Sequence, residues 1–126
     1  MPSTSAARAL PRVLGVSTAA YSTAIIISPR LLAKPCKLTR ADDGVPAEVA
    51  TVIRAVGVRD AASGLLLALA PRGAALRGAV GVRVLSDLGD AAVFGFALPD
   101  RATKIKVAGV AAAWGMLCAY SGRHSR

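Results

Sequence analysis

The sequence of 126 residues is poor in the side chains on which most soluble enzymes rely. Its single histidine, His124, excludes any histidine-based metal or nucleophile constellation. Cys36 and Cys118 are too few and too far apart for a disulfide scaffold, a zinc site or a redox CxxC motif. Aromatic residues make up only 4%, so a net charge of +9 comes with few stacking platforms, and nucleic acid is not an expected partner. Charged residues reach only 18% against 54% hydrophobic, with a mean hydropathy of +0.52. That balance excludes a disordered chain and makes a membrane the first environment to test.

Proline is present but confined to the edges of apolar blocks. Pro2 and Pro11 precede the first block, Pro29, Pro35 and Pro46 separate it from the second, and Pro71 and Pro99 divide the rest. Because proline is tolerated in a helix's first turn and disfavoured in its interior, this distribution reads as helix punctuation. It predicts one membrane domain over residues 1–126, an all-α, up-down-up-down four-helix transmembrane bundle with spans at about 12–28, 47–70, 74–98 and 102–122. Residues 13–28 and 107–122 carry no charge and offer no polar face for a soluble bundle. Arg8 and Arg12 before an apolar run look like the start of a signal peptide, but no A-x-A site precedes Pro29 and three more apolar blocks follow. The first block is therefore read as a retained span. Recurrent glycine, including the small pair Gly109 and Ala113, suits closely packed membrane helices.

The charges sort into two populations. Arg54, Arg59, Arg83, Asp60, Asp87 and Asp90 lie inside spans two and three and cancel, so the whole excess of positive charge sits in tails and loops. A basic rim around an apolar body suits anionic lipid headgroups. The rim residues divide almost evenly between the two sides, so orientation rests only on an even span number, which puts both termini together; the expectation is the cytoplasmic side.

Folding spans two and three back on each other through Pro71, Arg72 and Gly73 brings Arg54 level with Asp90, Arg59 with Asp87, and Asp60 with Arg83. At about 100° per residue, Arg83, Asp87 and Asp90 share one stripe of span three. Arg54 and Asp60 share an arc of span two around Gly57 and Gly64, which predicts close approach of span three; Arg59 falls outside that arc. The expected pairs are thus Arg54 with Asp90 and Asp60 with Arg83, with Asp87 shared between Arg83 and Arg59. Charges at mid-bilayer are costly and need mutual pairing, water or a ligand. These six residues form the candidate polar pocket. Tyr21, Ser17 and Ser28 share a face of span one and either add hydroxyls to it or bond their own backbone. Trp114, Tyr120 and Cys118 read as packing or interface residues. Cys36 and Cys118 fall near opposite membrane faces, too far apart for a disulfide.

The stretch Gly57-Val58-Arg59-Asp60-Ala61-Ala62-Ser63-Gly64, followed by Arg83 and by Asp87-Leu88-Gly89-Asp90, resembles small four-span integral membrane proteins of bacteria and fungi grouped as a domain of unknown function, with a looser likeness to DoxX-like proteins. The likeness spans roughly residues 10–120 and implies location and fold, not a reaction. Small multidrug exporters are unlike it, because their first span carries a glutamate and this one carries no acid.

Three functions are compatible with such a chain. One is a membrane-embedded site that binds or transforms a lipophilic small molecule, with Asp60, Asp87 or Asp90 moving protons and the arginines holding an anionic or carbonyl group. A second is a non-enzymatic accessory or self-associating protein whose ion network is structural. A third is a minimal proton-coupled carrier acting as a homodimer. No nucleophile or cofactor motif accompanies the charges, so the sequence names no reaction, no cofactor and no metal.

Overall fold

A computed structural model describes residues 4–98 and 100–124. The described chain is all helical, with no strand: α1 (Thr4–Ile27), α2 (Arg30–Ala33), α3 (Ala47–Leu69), α4 (Ala74–Ala97) and α5 (Arg101–His124). The proline punctuation accounts for most of these limits, since Pro29 and Pro46 occupy the positions just before α2 and α3, and Pro71 follows α3. Pro2 and Pro99, read as punctuation, and Arg126, read as part of the basic rim, lie outside the described residues.

Two elements differ from expectation. The first long helix begins at Thr4, so Pro11 lies inside it rather than ahead of it. Having no N–H, Pro11 forfeits one backbone hydrogen bond of α1, and its ring is fully buried. The second difference is α2, a single turn in what was read as a loop. Beyond it the chain reverses at Lys37, whose φ of 56° is left-handed, and the Leu38 N–H donates to the Ala33 carbonyl at 2.9 Å.

Helix α3 packs most extensively on α1, and α4 on α5; α3 meets α4, and α1 meets α5, over smaller areas. The close α1–α3 contact has its cause in glycine. A Cβ added at Gly15 would lie 2.5 Å from the Ala68 nitrogen and 2.6 Å from the Gly64 oxygen. One added at Gly64 would lie 2.8 Å from both the Ala19 nitrogen and the Gly15 oxygen. Gly57 and Gly64 therefore admit α1, which corrects the expectation that they admit α4. The physical reason is that α1 presents Gly15, Thr18, Ala19 and Ser22 to them, whereas the α3–α4 contact has to accommodate arginine side chains. Gly109 faces open space, so the Gly109 and Ala113 pair makes no close crossing at Gly109; α5 instead meets α4 at Gly115, against Asp87, and at Gly122, against Val80.

The antiparallel α1–α3 pair is also held by reciprocal arginines. Arg12 Nη1 donates to the carbonyls of Leu67 and Ala68 at 3.2 and 3.0 Å, in the last turn of α3. Arg54 Nε donates to the Ile26 carbonyl at 3.1 Å, in the last turn of α1. Each cation meets carbonyls that have no partner within their own helix, where the helix dipole also favours positive charge. Arg12→Leu and Arg54→Leu are each expected to cost about 1 kcal/mol. A lowered thermal midpoint of the purified protein measures this, and unchanged midpoints would mean that neither cap contributes.

Two small apolar cores lie toward opposite ends of the helices. One joins Leu14, Leu67, Leu76, Val80 and Cys118; the other joins Ile25, Ala33 and Ile53. Charged and polar side chains occupy the region between them.

Candidate functional site

Arg83 on α4 is the centre of that polar region and is 1% exposed. Its Nε donates to Asp87 Oδ2 at 3.1 Å, and its Nη2 donates to Asp87 Oδ1, so the pair one turn apart is bidentate. Its Nη1 crosses to α3, donating to Asp60 Oδ1 at 3.1 Å and to Ser63 Oγ at 2.7 Å. Asp60 Oδ1 also accepts from Arg59 Nε at 2.9 Å. Arg59 then returns to α4, where its Nη2 reaches Asp90 Oδ2 at 2.7 Å and Asp90 Oδ1 at 2.9 Å. The result is one alternating chain: Asp87, Arg83, Asp60, Arg59, Asp90. Asp60 Oδ2 accepts no hydrogen bond among the described residues.

Five of the six candidate residues are thus brought together. Asp60 pairs with Arg83 as the register argument expects. Arg54 does not pair with Asp90, because the carbonyl end of α1 lies closer to hand and takes its guanidinium. Asp90 is held by Arg59 instead, and Asp87 is bound by Arg83 alone of the two arginines named for it. The angular test placed Arg59 outside the contact face by its backbone position; its long side chain bridges from there. Asp87 and Asp90, the residues considered for acid and base roles, are engaged by different guanidiniums. Ser63, buried and bonded to Arg83, was not singled out, although it stands one turn beyond Asp60 on the same face.

Beside this chain lies a cavity of about 510 Å³. Asp60, Arg83, Asp87 and Asp90 line it from α3 and α4; Arg54 and Arg59 do not. Helix α1 contributes Ser17, Thr18, Tyr21 and Ser22, and α5 contributes Val107, Val110, Ala111 and Trp114. Trp114 Nε1 donates to Thr18 Oγ1 at 3.0 Å, tying the two helices together beside the cavity. Ser17 and Tyr21 therefore do border the site, while Ser28 does not, and Thr23 on the same helix bonds its own backbone at Ala19. Trp114, read only as an anchor, borders the cavity; no charge pattern on α1 or α5 could have revealed it.

The cavity's other end is bordered by Pro35, Cys36 and Lys106. Cys36 is fully buried, and that burial raises its thiol pKa against the opposing influence of the Lys106 charge. Both cysteines are free. The turn that carries Cys36 is fastened across the molecule by Lys37, whose Nζ donates to Asp100 Oδ2 at 3.1 Å. The same oxygen accepts from Thr103 Oγ1 at 2.7 Å and from the Thr103 N–H at 3.0 Å, capping the start of α5. These bonds, that from the Thr103 hydroxyl first, hold the Asp100 carboxyl at about 2, below its ordinary 3.8. A depressed carboxyl stabilises the fold above its unfolded value and loses that contribution as pH falls toward about 2. Carbon-detected NMR titration of Asp100 should give a midpoint near 2; one at the ordinary value would mean the cap and the tether are not formed.

Among the described residues no group of three or more histidine, cysteine, aspartate or glutamate side chains is arranged to hold a metal ion. No family model matches the chain, and neither a curated protein nor a solved structure does.

Proposed function

We propose that this chain is a small multi-pass membrane protein, folded as an up-down-up-down four-helix bundle, whose half-open cavity between the helices binds a lipophilic small molecule. The observation that carries the reading is the distribution of polarity. Arg83 and Asp87 are 1% and 5% exposed, while Phe96, Ile27, Leu69 and Leu85 are 88%, 76%, 75% and 73% exposed. Large apolar side chains stand outward on all four long helices, and buried serines, threonines and an arginine stand inward. In water that arrangement forfeits hydrophobic burial and desolvates charge; in hydrocarbon it is the favourable one.

Two helical stretches, Arg8–Ile27 and Arg101–Arg123, are long and apolar enough to cross a membrane by length and composition alone. Helices α3 and α4 carry charges along their length, yet each of the four long helices has 23 or 24 residues. At about 1.5 Å per residue that exceeds a hydrocarbon core about 30 Å thick. Arg59, Asp60, Arg83, Asp87 and Asp90 of α3 and α4 are paired with one another, and the large side chains these helices turn outward are apolar, which supports four spans; an even number of spans puts both termini on one side, which the proposal takes to be the cytoplasm.

The cavity supports a binding role because its border combines mostly apolar side chains with a few charged groups, the network on one wall and Lys106 at the other end, the usual make-up of a small-molecule site. The complete pairing of Arg83 favours a second reading, in which the network only locks α3 against α4 and nothing binds.

Alkaline carbonate extraction of membranes tests the location: the protein should remain in the pellet, and reporters fused to either end should report one compartment. Release into the supernatant, or termini in different compartments, would defeat the proposal.

A further inference from the structure

We infer that the cavity selects lipophilic monocations, such as hydrophobic quaternary or protonated amines; this rests on the binding role proposed for the same cavity. The first ground is the charge of the network. Two guanidiniums, Arg59 and Arg83, are linked to three carboxylates, Asp60, Asp87 and Asp90, which leaves one formal negative charge on a network that is buried at Arg83 and Asp87 and partly buried at Asp60 and Asp90. An uncompensated charge in such a place is costly, so an entering cation gains what a neutral guest cannot.

The second ground is which atom remains available. Both oxygens of Asp87 are taken by Arg83 and both oxygens of Asp90 by Arg59. Asp60 Oδ2 alone accepts nothing among the described residues, and Asp60 borders the cavity. The surplus charge and the free acceptor therefore coincide on one wall.

The third ground is aromatic. The chain has two tyrosines, two phenylalanines and one tryptophan. Tyr21, Phe94 and Trp114 all border this cavity. Aromatic rings attract cations through their quadrupole and accept the apolar groups of an alkylammonium at the same time. Lys106 is the one competing charge on the border, and it stands eight positions from Trp114 along α5, about 12 Å of helix. It lies toward Cys36 and away from the carboxylates, so the cavity is polarised, with its negative end beside Trp114.

The sole tryptophan supplies the assay. Full-length protein in phosphatidylcholine nanodiscs is titrated with benzyltrimethylammonium, with its uncharged isostere neopentylbenzene and with phenylmethanesulfonate, following Trp114 fluorescence. The ammonium should bind about ten-fold or more tighter than the isostere, a difference of about 1.4 kcal/mol, and the sulfonate weakest of all. Asp60→Asn should bring ammonium and isostere to parity, because the network then becomes neutral. Lys106→Gln, on an exposed side chain outside the network, should strengthen ammonium binding several-fold.

Equal affinity for ammonium and isostere, or preference for the sulfonate, overturns the inference and leaves the binding role standing. Saturable binding of none of the three overturns both. If Asp60→Asn does not accumulate, Lys106→Gln decides: ammonium affinity that is unchanged or weaker overturns cation selectivity.

Discussion

Arg83→Gln is expected to destabilise the protein by about 3–5 kcal/mol, the range for removing one partner of a buried ion pair. Arg83 donates to Asp87, Asp60 and Ser63 together, and its side chain is 2% exposed. Without it, three carboxylates face Arg59 alone, and Asp87, itself buried, loses every guanidinium it touches. Glutamine restores at most part of the hydrogen bonding and none of the charge. The expected observation is a large drop in thermal midpoint, or failure of the variant to accumulate.

Adding Asp87→Asn to Arg83→Gln should recover much of the loss, because one cation and one anion then leave together and the network returns to a single negative charge. Asp60→Asn should cost less than Arg83→Gln, since it removes the surplus charge while Arg83 keeps its bidentate partner. Combining it with Arg83→Gln should likewise give less than the sum of the two effects. Strict additivity in either cycle would mean the side chains do not interact in the folded protein, whatever their separation in the structure.

The reach of the sequence is clearest where geometry depends on the backbone alone. Helix limits follow proline, and the level at which Asp60 meets Arg83 follows from a short connection between two helices of fixed rise. Side-chain reach is where that reasoning stops. Arg59 takes the Asp90 expected of Arg54 because an arginine can bridge more than a turn, and Arg54 caps α1 instead because a helix C-terminus competes with a carboxylate for a cation. The partner of the glycines on α3 was also beyond the charge pattern. Charges draw attention to α4, whereas the closest packing is against α1, which carries no charge in its second half. Gly15 was legible in principle, as a small residue four positions before Ala19, but small pairs are common in an alanine-rich chain and only Gly64 opposite gives this one meaning. The cavity belongs to the same class, because it is lined jointly by side chains of α1, α3, α4 and α5 beside the Thr18–Trp114 bond.

Those glycines carry the other large expected effect. Gly15→Leu should destabilise the protein by about 3 kcal/mol or more, at or above the upper end for overpacking a well-packed interface. The atoms that a new Cβ would meet are backbone, the Ala68 nitrogen at 2.5 Å and the Gly64 oxygen at 2.6 Å, so no rotamer change can relieve the clash. Helices α1 and α3 would have to separate or slide. Sliding breaks the Arg12 and Arg54 caps, which lie on either side of the crossing, and separation empties both apolar cores. Gly64→Leu should behave alike, since its Cβ would meet the Ala19 nitrogen and Gly15 oxygen at 2.8 Å. The two effects should not add, because once the helices have moved apart for one leucine the second meets an opened interface. Gly81→Leu on α4 is the comparison, for its Cβ would meet nothing within 4 Å. Leucine there replaces the poorest helix former short of proline and adds outward apolar surface, so its thermal midpoint should hold or rise. Equal losses at Gly15, Gly64 and Gly81 would point to a general intolerance of bulk on these helices and remove the α1–α3 crossing as the cause.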